Sequence, residues 1–150
     1  MDNTYKITTH SDAETIEVAQ NIESEKFPNM VICLNGDLGS GKTVFTKGFA
    51  SAMAIEEITS PTFNIIKEYV GELPLYHMDV YRTNGKIDNL GLEEYFYKGG
   101  VTIIEWAEMI EDYLPEERLD ITFKITGENN RVIVITAHGE KYVRACEEAL

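Results

Sequence analysis

The run Gly36-Asp37-Leu38-Gly39-Ser40-Gly41-Lys42-Thr43 constrains this chain more than any other feature. It matches the pattern GxxxxGK[ST] in full. The five residues before it, Met30-Val31-Ile32-Cys33-Leu34, are all apolar. Such a run is expected of a strand buried on both faces of a parallel sheet. The residues after it, from Lys42 to about Met53, read as a helix. A strand, a glycine-rich loop and a helix in that order are the context in which this pattern binds polyphosphate. Gly36, Gly39 and Gly41 permit a turn whose backbone N–H groups point inward. The helix N-terminus adds its own donors. Lys42 brings a point charge to the β- and γ-phosphates, and the Thr43 hydroxyl is placed to ligate Mg²⁺. A glycine-rich turn before an ordinary helix is the plainer alternative, and the flanking context weighs against it.

The chain reads as one domain over residues 1–150, without a repeat, a low-complexity tract or a linker. Residues 5–8 suggest a first strand. Ser11-Asp12-Ala13-Glu14 reads as a capping box, with Ser11 as N-cap and Glu14 reaching back. The helix after it puts Thr15, Val18, Ala19 and Ile22 on one face. Residues 63–70 and 73–82 look like two strands joined near Gly71-Glu72, and residues 92–97 like a short helix. Val101-Thr102-Ile103-Ile104 is a second buried strand. Residues 119–126 and 131–137 form a hairpin around Gly127-Glu128-Asn129-Asn130, and residues 141–150 close the chain as a helix. Strands interleaved with helices predict a sheet with helices on its faces, and the hairpins make that sheet mixed. The expected fold class is α/β, a P-loop NTPase-like three-layer sandwich with a mixed, partly antiparallel central sheet.

Charge narrows the partners. Thirteen basic against 26 acidic side chains give a net charge of −13. Most of such a surface repels a phosphate backbone, so tight binding of nucleic acid by the chain alone is not expected. A nucleic-acid pathway is still open to it through a more basic partner. The two cysteines, Cys33 and Cys146, lack CxxC spacing, which argues against a metal site and a disulfide framework. No stretch is long and apolar enough to span a bilayer. The start, Met1-Asp2-Asn3-Thr4, lacks the basic region and apolar run of a signal peptide. The expected compartment is the cytoplasm, with no membrane partner.

A phosphate loop usually shares its Mg²⁺ with an acid at a strand end. Asp79, in His77-Met78-Asp79-Val80-Tyr81-Arg82, and Glu105, directly after residues 101–104, are the two candidates. Both lie at the carboxyl ends of expected strands, where chemistry collects in open α/β sheets. Each is otherwise a solvated acid. His77 is a base or, more ordinarily, a packed and hydrogen-bonded histidine. Arg82 is a phosphate contact or an ion-pair partner. Trp106 is an interface or switch residue or a partly buried core aromatic. In Ser60-Pro61-Thr62-Phe63, Thr62 is a candidate for a loop that senses the γ-phosphate. The plainer reading there is a proline-fixed strand entry.

Four segments together resemble the TsaE family, also called YjeE, the bacterial ATPases of tRNA threonylcarbamoyladenosine biosynthesis. They are the loop at 36–43, Ser60-Pro61-Thr62-Phe63, His77-Met78-Asp79-Val80-Tyr81-Arg82 and Ile104-Glu105-Trp106. The match covers nearly the whole chain and is weakest after Tyr113. The resemblance implies an ATP-hydrolysing protein that works with two partners, TsaB and TsaD, and reaches tRNA only through them. It implies ATP and Mg²⁺ as cofactors. The loop residues Gly36, Asp37, Leu38, Gly39, Ser40, Gly41, Lys42 and Thr43 would bind the phosphates. Thr43 and Glu105 would ligate Mg²⁺, with Asp79 near the metal or the attacking water. Lys42, Asp79, Glu105 and Thr62, the last in a switch-like loop, would form the catalytic set. Arg131 falls at a basic nucleotide contact of similar proteins. Residues 8–11, and hence Ser11, lie where the family approaches the adenine end. Two departures stand out. Val44 follows Thr43 where many relatives have a hydroxyl residue, which removes a possible α-phosphate contact. Ala107 follows Trp106 where a proline is common.

Two other functions use the same loop. A small-molecule kinase needs an arginine-bearing lid, and Arg82, Arg118, Arg131 and Arg144 do not cluster in a lid-like insertion. A non-hydrolysing sensor, docking only when nucleotide is bound, is compatible with all these residues.

Overall fold

A computed structural model of the chain describes residues 2–59, 61 and 65–150. Seven strands form one mixed sheet: β1 (Asp2–Thr9), β2 (Val31–Gly36), β3 (Ile66–Tyr69), β4 (Leu75–Asp79), β5 (Val101–Glu105), β6 (Arg118–Ile125) and β7 (Arg131–His138). Their order across the sheet is β1-β7-β6-β2-β5-β4-β3. The inner four, β6, β2, β5 and β4, run parallel, while β7, β1 and β3 are antiparallel to their neighbours. Among the described residues three α-helices complete the order: α1 (Asp12–Glu23), α2 (Lys42–Ala52) and α3 (Glu140–Ala149).

The two patterns of apolar residues explain the two halves of the sheet. Residues 31–34 of β2 and all of β5 are buried, as strands covered on both faces must be. On β6 and β7 only alternate residues are buried, Leu119, Ile121 and Phe123 with Ile133, Ile135 and Ala137. That half has one wet face.

All three helices pack into one apolar cluster with a single face of the sheet. Helix α2 contributes Phe45 and Phe49, and Phe45 meets the Phe123 ring edge-on at 5.9 Å. Helix α1 presses close to α2 because Gly48 has no side chain. A Cβ there would lie 3.0 Å from the Ile16 Cα. At its start, Ser11 Oγ accepts from the Glu14 N–H at 3.1 Å, as the capping box predicts. The return arm lands one residue early, on the His10 N–H at 2.6 Å.

The opposite face departs from expectation. No α-helix covers it among the described residues. Two 3₁₀ segments, Leu92–Tyr97 and Ala107–Tyr113, supply the apolar lid through Leu92, Phe96, Ala107 and Ile110. The third layer thus exists in a thinner form than helices on both faces. The segment expected as a helix at 92–97 spans fewer than two α-helical turns, a length at which 3₁₀ geometry is common. Strand β4 also stops at Asp79, short of Arg82. The Asp79 carboxylate accepts from the Tyr81 N–H at 3.0 Å, and that local bond turns the chain into a 3₁₀ turn, Tyr81–Thr83.

Candidate functional site

The parallel register brings three strand ends together. Glu105 sits beside Leu34 of β2 and beside Asp79 of β4. The loop at 36–43 leaves β2 at that same end, so both acids reach it. Gly36 shows why glycine starts the loop. Its φ is +144°, and a Cβ would meet the Phe123 carbonyl oxygen and Ser40 Oγ at 2.7 Å each. Ser40 is buried, and its N–H closes a turn on the Asp37 carbonyl at 3.1 Å.

Lys42 is folded onto its own loop. Its Nζ donates to the Gly36 carbonyl and, at 3.0 Å, to the Asp37 carbonyl. The same ammonium lies 3.8 Å from the centroid of the Trp106 ring, within cation–π range. Burial holds this lysine below its ordinary pKa, against the pull of Glu105, Glu108, Asp79 and Asp37. Glu108 is a neighbour that sequence reasoning missed. Burial raises its carboxyl pKa, while the nearby Lys42 lowers it.

Glu105 is the hub of the site, 3 % exposed. Its Oε1 accepts from the Thr43 hydroxyl at 3.1 Å, and its Oε2 accepts from His77 Nε2–H at 2.6 Å. His77 is fully buried, as the packed-histidine reading holds, and its partner is the very acid singled out for metal binding. Thr43, Glu105 and Asp79 are oxygen donors only, the donor set that suits Mg²⁺. Among the described residues no group of three acid, histidine or cysteine side chains forms a cage of its own. A cation here would share its shell with phosphate and water, as Mg²⁺ commonly does in nucleotide sites.

A cavity of about 400 Å³ joins these groups, a size ordinary for small-molecule sites. Leu38, Gly39, Gly41, Lys42, Thr43 and Val44 line it, with Asp79, Glu105 and Arg131. Gly36, Asp37 and Ser40 of the same loop do not line it. Ser11 also stays out of it, its hydroxyl engaged as a helix cap, and Asp12 and Thr15 of the next turn line the cavity in its place. Thr62 falls outside the described residues. A second cavity of about 640 Å³ adjoins the first, sharing Leu38, Asp79 and Trp106 and continuing to Tyr81, Arg82 and Leu90.

Trp106 turns the chain out of β5 with φ +64°, a left-handed conformation that costs a bulky residue on the order of 1–3 kcal/mol. Its N–H is held by the Leu34 carbonyl at 3.0 Å, and its ring meets Tyr81 at 4.8 Å. A signal for this geometry was not available in the sequence, because nothing local marks a tryptophan for positive φ. Since Trp106 is the only tryptophan, its fluorescence is expected to change saturably when phosphate draws Lys42 off the ring. A flat titration, with binding established by calorimetry, would place Lys42 elsewhere in the bound state.

Burial, with help from Glu105, raises the Asp79 carboxyl pKa above its usual value. The folded protein therefore holds this proton more tightly than the unfolded chain does. Stability from this group is full below the unfolded value, near pH 4, and falls as pH rises through the raised one. Asp79→Asn keeps an acceptor for the Tyr81 N–H and removes the buried charge. In Mg²⁺-free buffer it is expected to raise Tm by about 1–3 °C at pH 7 and to give no gain below about pH 4. Thermal melts at the two pH values check this.

The chain matches the family model "Threonylcarbamoyl adenosine biosynthesis protein TsaE" over residues 9–133. It is 50 % identical over 145 residues to the tRNA threonylcarbamoyladenosine biosynthesis protein TsaE of Bacillus subtilis, covering 95 % of this chain and 92 % of that one. The protein of the same name from Treponema pallidum is 44 % identical over 108 residues, 70 % of this chain and 80 % of its own. Among solved structures, the crystal structure of Bacillus subtilis YdiB superposes with a TM-score of 0.88 at 47 % identity, covering 99 % of this chain and 95 % of that one. The family match spans the loop at 36–43, both strand-end acids and Arg131, and on that breadth the chain belongs to the TsaE family.

Proposed function

We propose that this chain is the ATP-binding and ATP-hydrolysing subunit of the machinery that makes threonylcarbamoyladenosine in tRNA. The relatives' names supply the pathway. The observation that carries the chemistry is the contact between the Thr43 hydroxyl and Glu105 at 3.1 Å, beside a loop whose lysine faces the same cavity. Residues 36–43 would cradle the phosphates, with Val44 at the α-phosphate end and Arg131 against the loop. Ser11 would serve the nucleoside side only as the cap of the helix whose Asp12 and Thr15 line the cavity. Thr43, Glu105 and Asp79 would hold Mg²⁺. Bound there, the ion would neutralise charge on the β- and γ-phosphates.

The chain's own residues divide the remaining work. His77 keeps Glu105 oriented, because one carboxylate oxygen is tied to a buried ring and the other is left facing Thr43. Lys42 exchanges the Gly36 and Asp37 carbonyls for phosphate oxygens. Four acids, Asp37, Asp79, Glu105 and Glu108, surround that one ammonium. ATP without Mg²⁺ would meet net repulsion, so binding is expected to depend strongly on the ion. Thr62 would belong to the switch-like loop.

TsaB- and TsaD-like proteins are the proposed partners, with tRNA reached only through them, in keeping with the charge of −13. Exposed Leu38, Tyr81 and Leu90 around the second cavity offer apolar surface beside the phosphate site for a partner to cover. Among the described residues no helix is long and apolar enough to cross a membrane, and the cytoplasm is the proposed compartment. A kinase reading is less well served. Arg118 and Arg144 pair with Asp120 and Glu140, and Arg131 is engaged by main-chain carbonyls.

The test is steady-state ATP hydrolysis by the purified chain, alone and with TsaB and TsaD. Slow turnover that rises with the partners supports the proposal. Turnover indifferent to them keeps the nucleotide site and removes the assembly. A phosphorylated acceptor from a panel of small molecules would establish the kinase instead.

A further inference from the structure

We propose that Arg131 is a positioning residue that latches the phosphate loop to the β6–β7 turn and does not itself clamp phosphate. The proposal rests on reading residues 36–43 as the phosphate loop. Arg131 opens β7, opposite Ile125 at the end of β6. From there its guanidinium reaches two separate stretches of main chain. Nε donates to the Ser40 carbonyl at 3.1 Å, and Nη2 donates to the Gly39 carbonyl at 3.2 Å. Nη1 faces the carbonyls of Gly127, Glu128 and Asn130 at 3.1, 3.3 and 2.8 Å. A guanidinium has five N–H groups. Four are directed at these oxygens, so a two-pronged grip on phosphate is not left to it.

What the latch does follows from peptide planarity. In a trans peptide the carbonyl and the next N–H point in opposite directions. Holding the Gly39 and Ser40 carbonyls toward Arg131 turns the N–H groups of Ser40 and Gly41 away from it. The Ser40 N–H goes to the Asp37 carbonyl and closes the turn. The Gly41 N–H, next to Lys42, is thereby kept aimed without a side chain of its own. Gly39 and Gly41 both have positive φ, and glycine is the residue with the widest choice of conformations. A loop built on them needs an outside constraint to stay in one of them. Arg131 supplies it across a sequence gap of 91 residues to Ser40. Lysine cannot replace it, because a single ammonium on a flexible stem cannot span carbonyls on two segments.

Backbone amide hydrogen exchange, read without nucleotide, separates this role from a direct contact. The variants are Arg131→Ala and Arg131→Lys, with calorimetric MgATP affinity measured alongside. Exchange in residues 37–43 is expected to rise about 10-fold or more in both variants, with residues 31–35 of β2 and all of β5 unchanged. Affinity is expected to fall by a similar factor in both. Methylguanidinium is expected to restore part of the loop protection to Arg131→Ala. Unchanged loop exchange, with affinity kept in Arg131→Lys and lost in Arg131→Ala, would overturn the latch in favour of a simple phosphate cation. Faster exchange throughout the sheet would overturn it in favour of general fold support. The exchange arm contains no nucleotide, so wild-type protein that fails to bind ATP while its variants loosen the loop would remove the functional reading and leave the latch standing.

Discussion

Lys42→Ala is expected to lower ATP turnover by roughly 10²–10³-fold, the loss typical when one preorganised charged or hydrogen-bonding group is removed from a buried site. The chain leaves little to compensate. Lys42 is 5 % exposed and surrounded by four acids, and Arg131, the other cation lining the cavity, is held by backbone carbonyls. Removing Lys42 therefore takes away the charge that would follow the β- and γ-phosphates and leaves the acids unopposed. The fold has less at stake. The Gly36 and Asp37 carbonyls lose a donor but lie in a loop that water can reach, and burial already disfavours the charged lysine. Tm is expected to move by no more than a few degrees, on the scale of about 1 kcal/mol. A malachite-green phosphate assay and a melting curve on one preparation read both quantities. Wild-type turnover in this variant would mean that the loop is not the phosphate site.

The elements that the sequence makes legible are those governed by local patterns or by register. An apolar run between turn signals needs cover on two faces, which places β2 and β5 inside the sheet before any coordinates are known. Once β2, β5 and β4 run parallel side by side, the acids that end β5 and β4 arrive at the loop, as Glu105 and Asp79 do. The capping residue at Ser11 is a local signal of the same kind. What stayed hidden depends on partners far away in the chain. His77 gives no sign that its ring will meet Glu105, 28 residues on. Arg131 is expected only as a basic nucleotide contact, by resemblance, and the carbonyls of Gly39 and Ser40 reveal its other work. The 3₁₀ cover at 107–113 follows from the turn at Trp106, where tertiary contacts override the conformational preference of a bulky side chain. Glu108 reaches the loop for the same reason: that turn brings its N–H to the Asn35 side chain at 2.9 Å.

Glu105→Gln tests the metal reading most sharply, because it changes charge while keeping shape. The midpoint for Mg²⁺ activation is expected to rise about 100-fold or more, above the 10–100-fold typical when only a supporting neighbour of a metal ligand is altered. Nucleotide affinity measured in excess chelator is expected to rise or stay level, since a carboxylate that repels phosphate has been neutralised. Glu105→Ala behaves differently. It leaves the Thr43 hydroxyl and the fully buried His77 without their shared acceptor. An unpaired buried polar group costs about 1–3 kcal/mol. The alanine variant should therefore lose stability as well as metal response, while the glutamine variant loses chiefly the latter. Trp106 fluorescence titrated with MgATP and with ATP in chelator reads binding, and phosphate release across a Mg²⁺ series reads activation. The contrast between the two variants carries the argument. If Gln and Ala shift the Mg²⁺ midpoint equally and neither lowers affinity in chelator, the charge on Glu105 acts on the cation. If Gln leaves the midpoint at the wild-type value, the carboxylate serves only to pin His77 and Thr43, and Asp79 becomes the acid on which the cation depends.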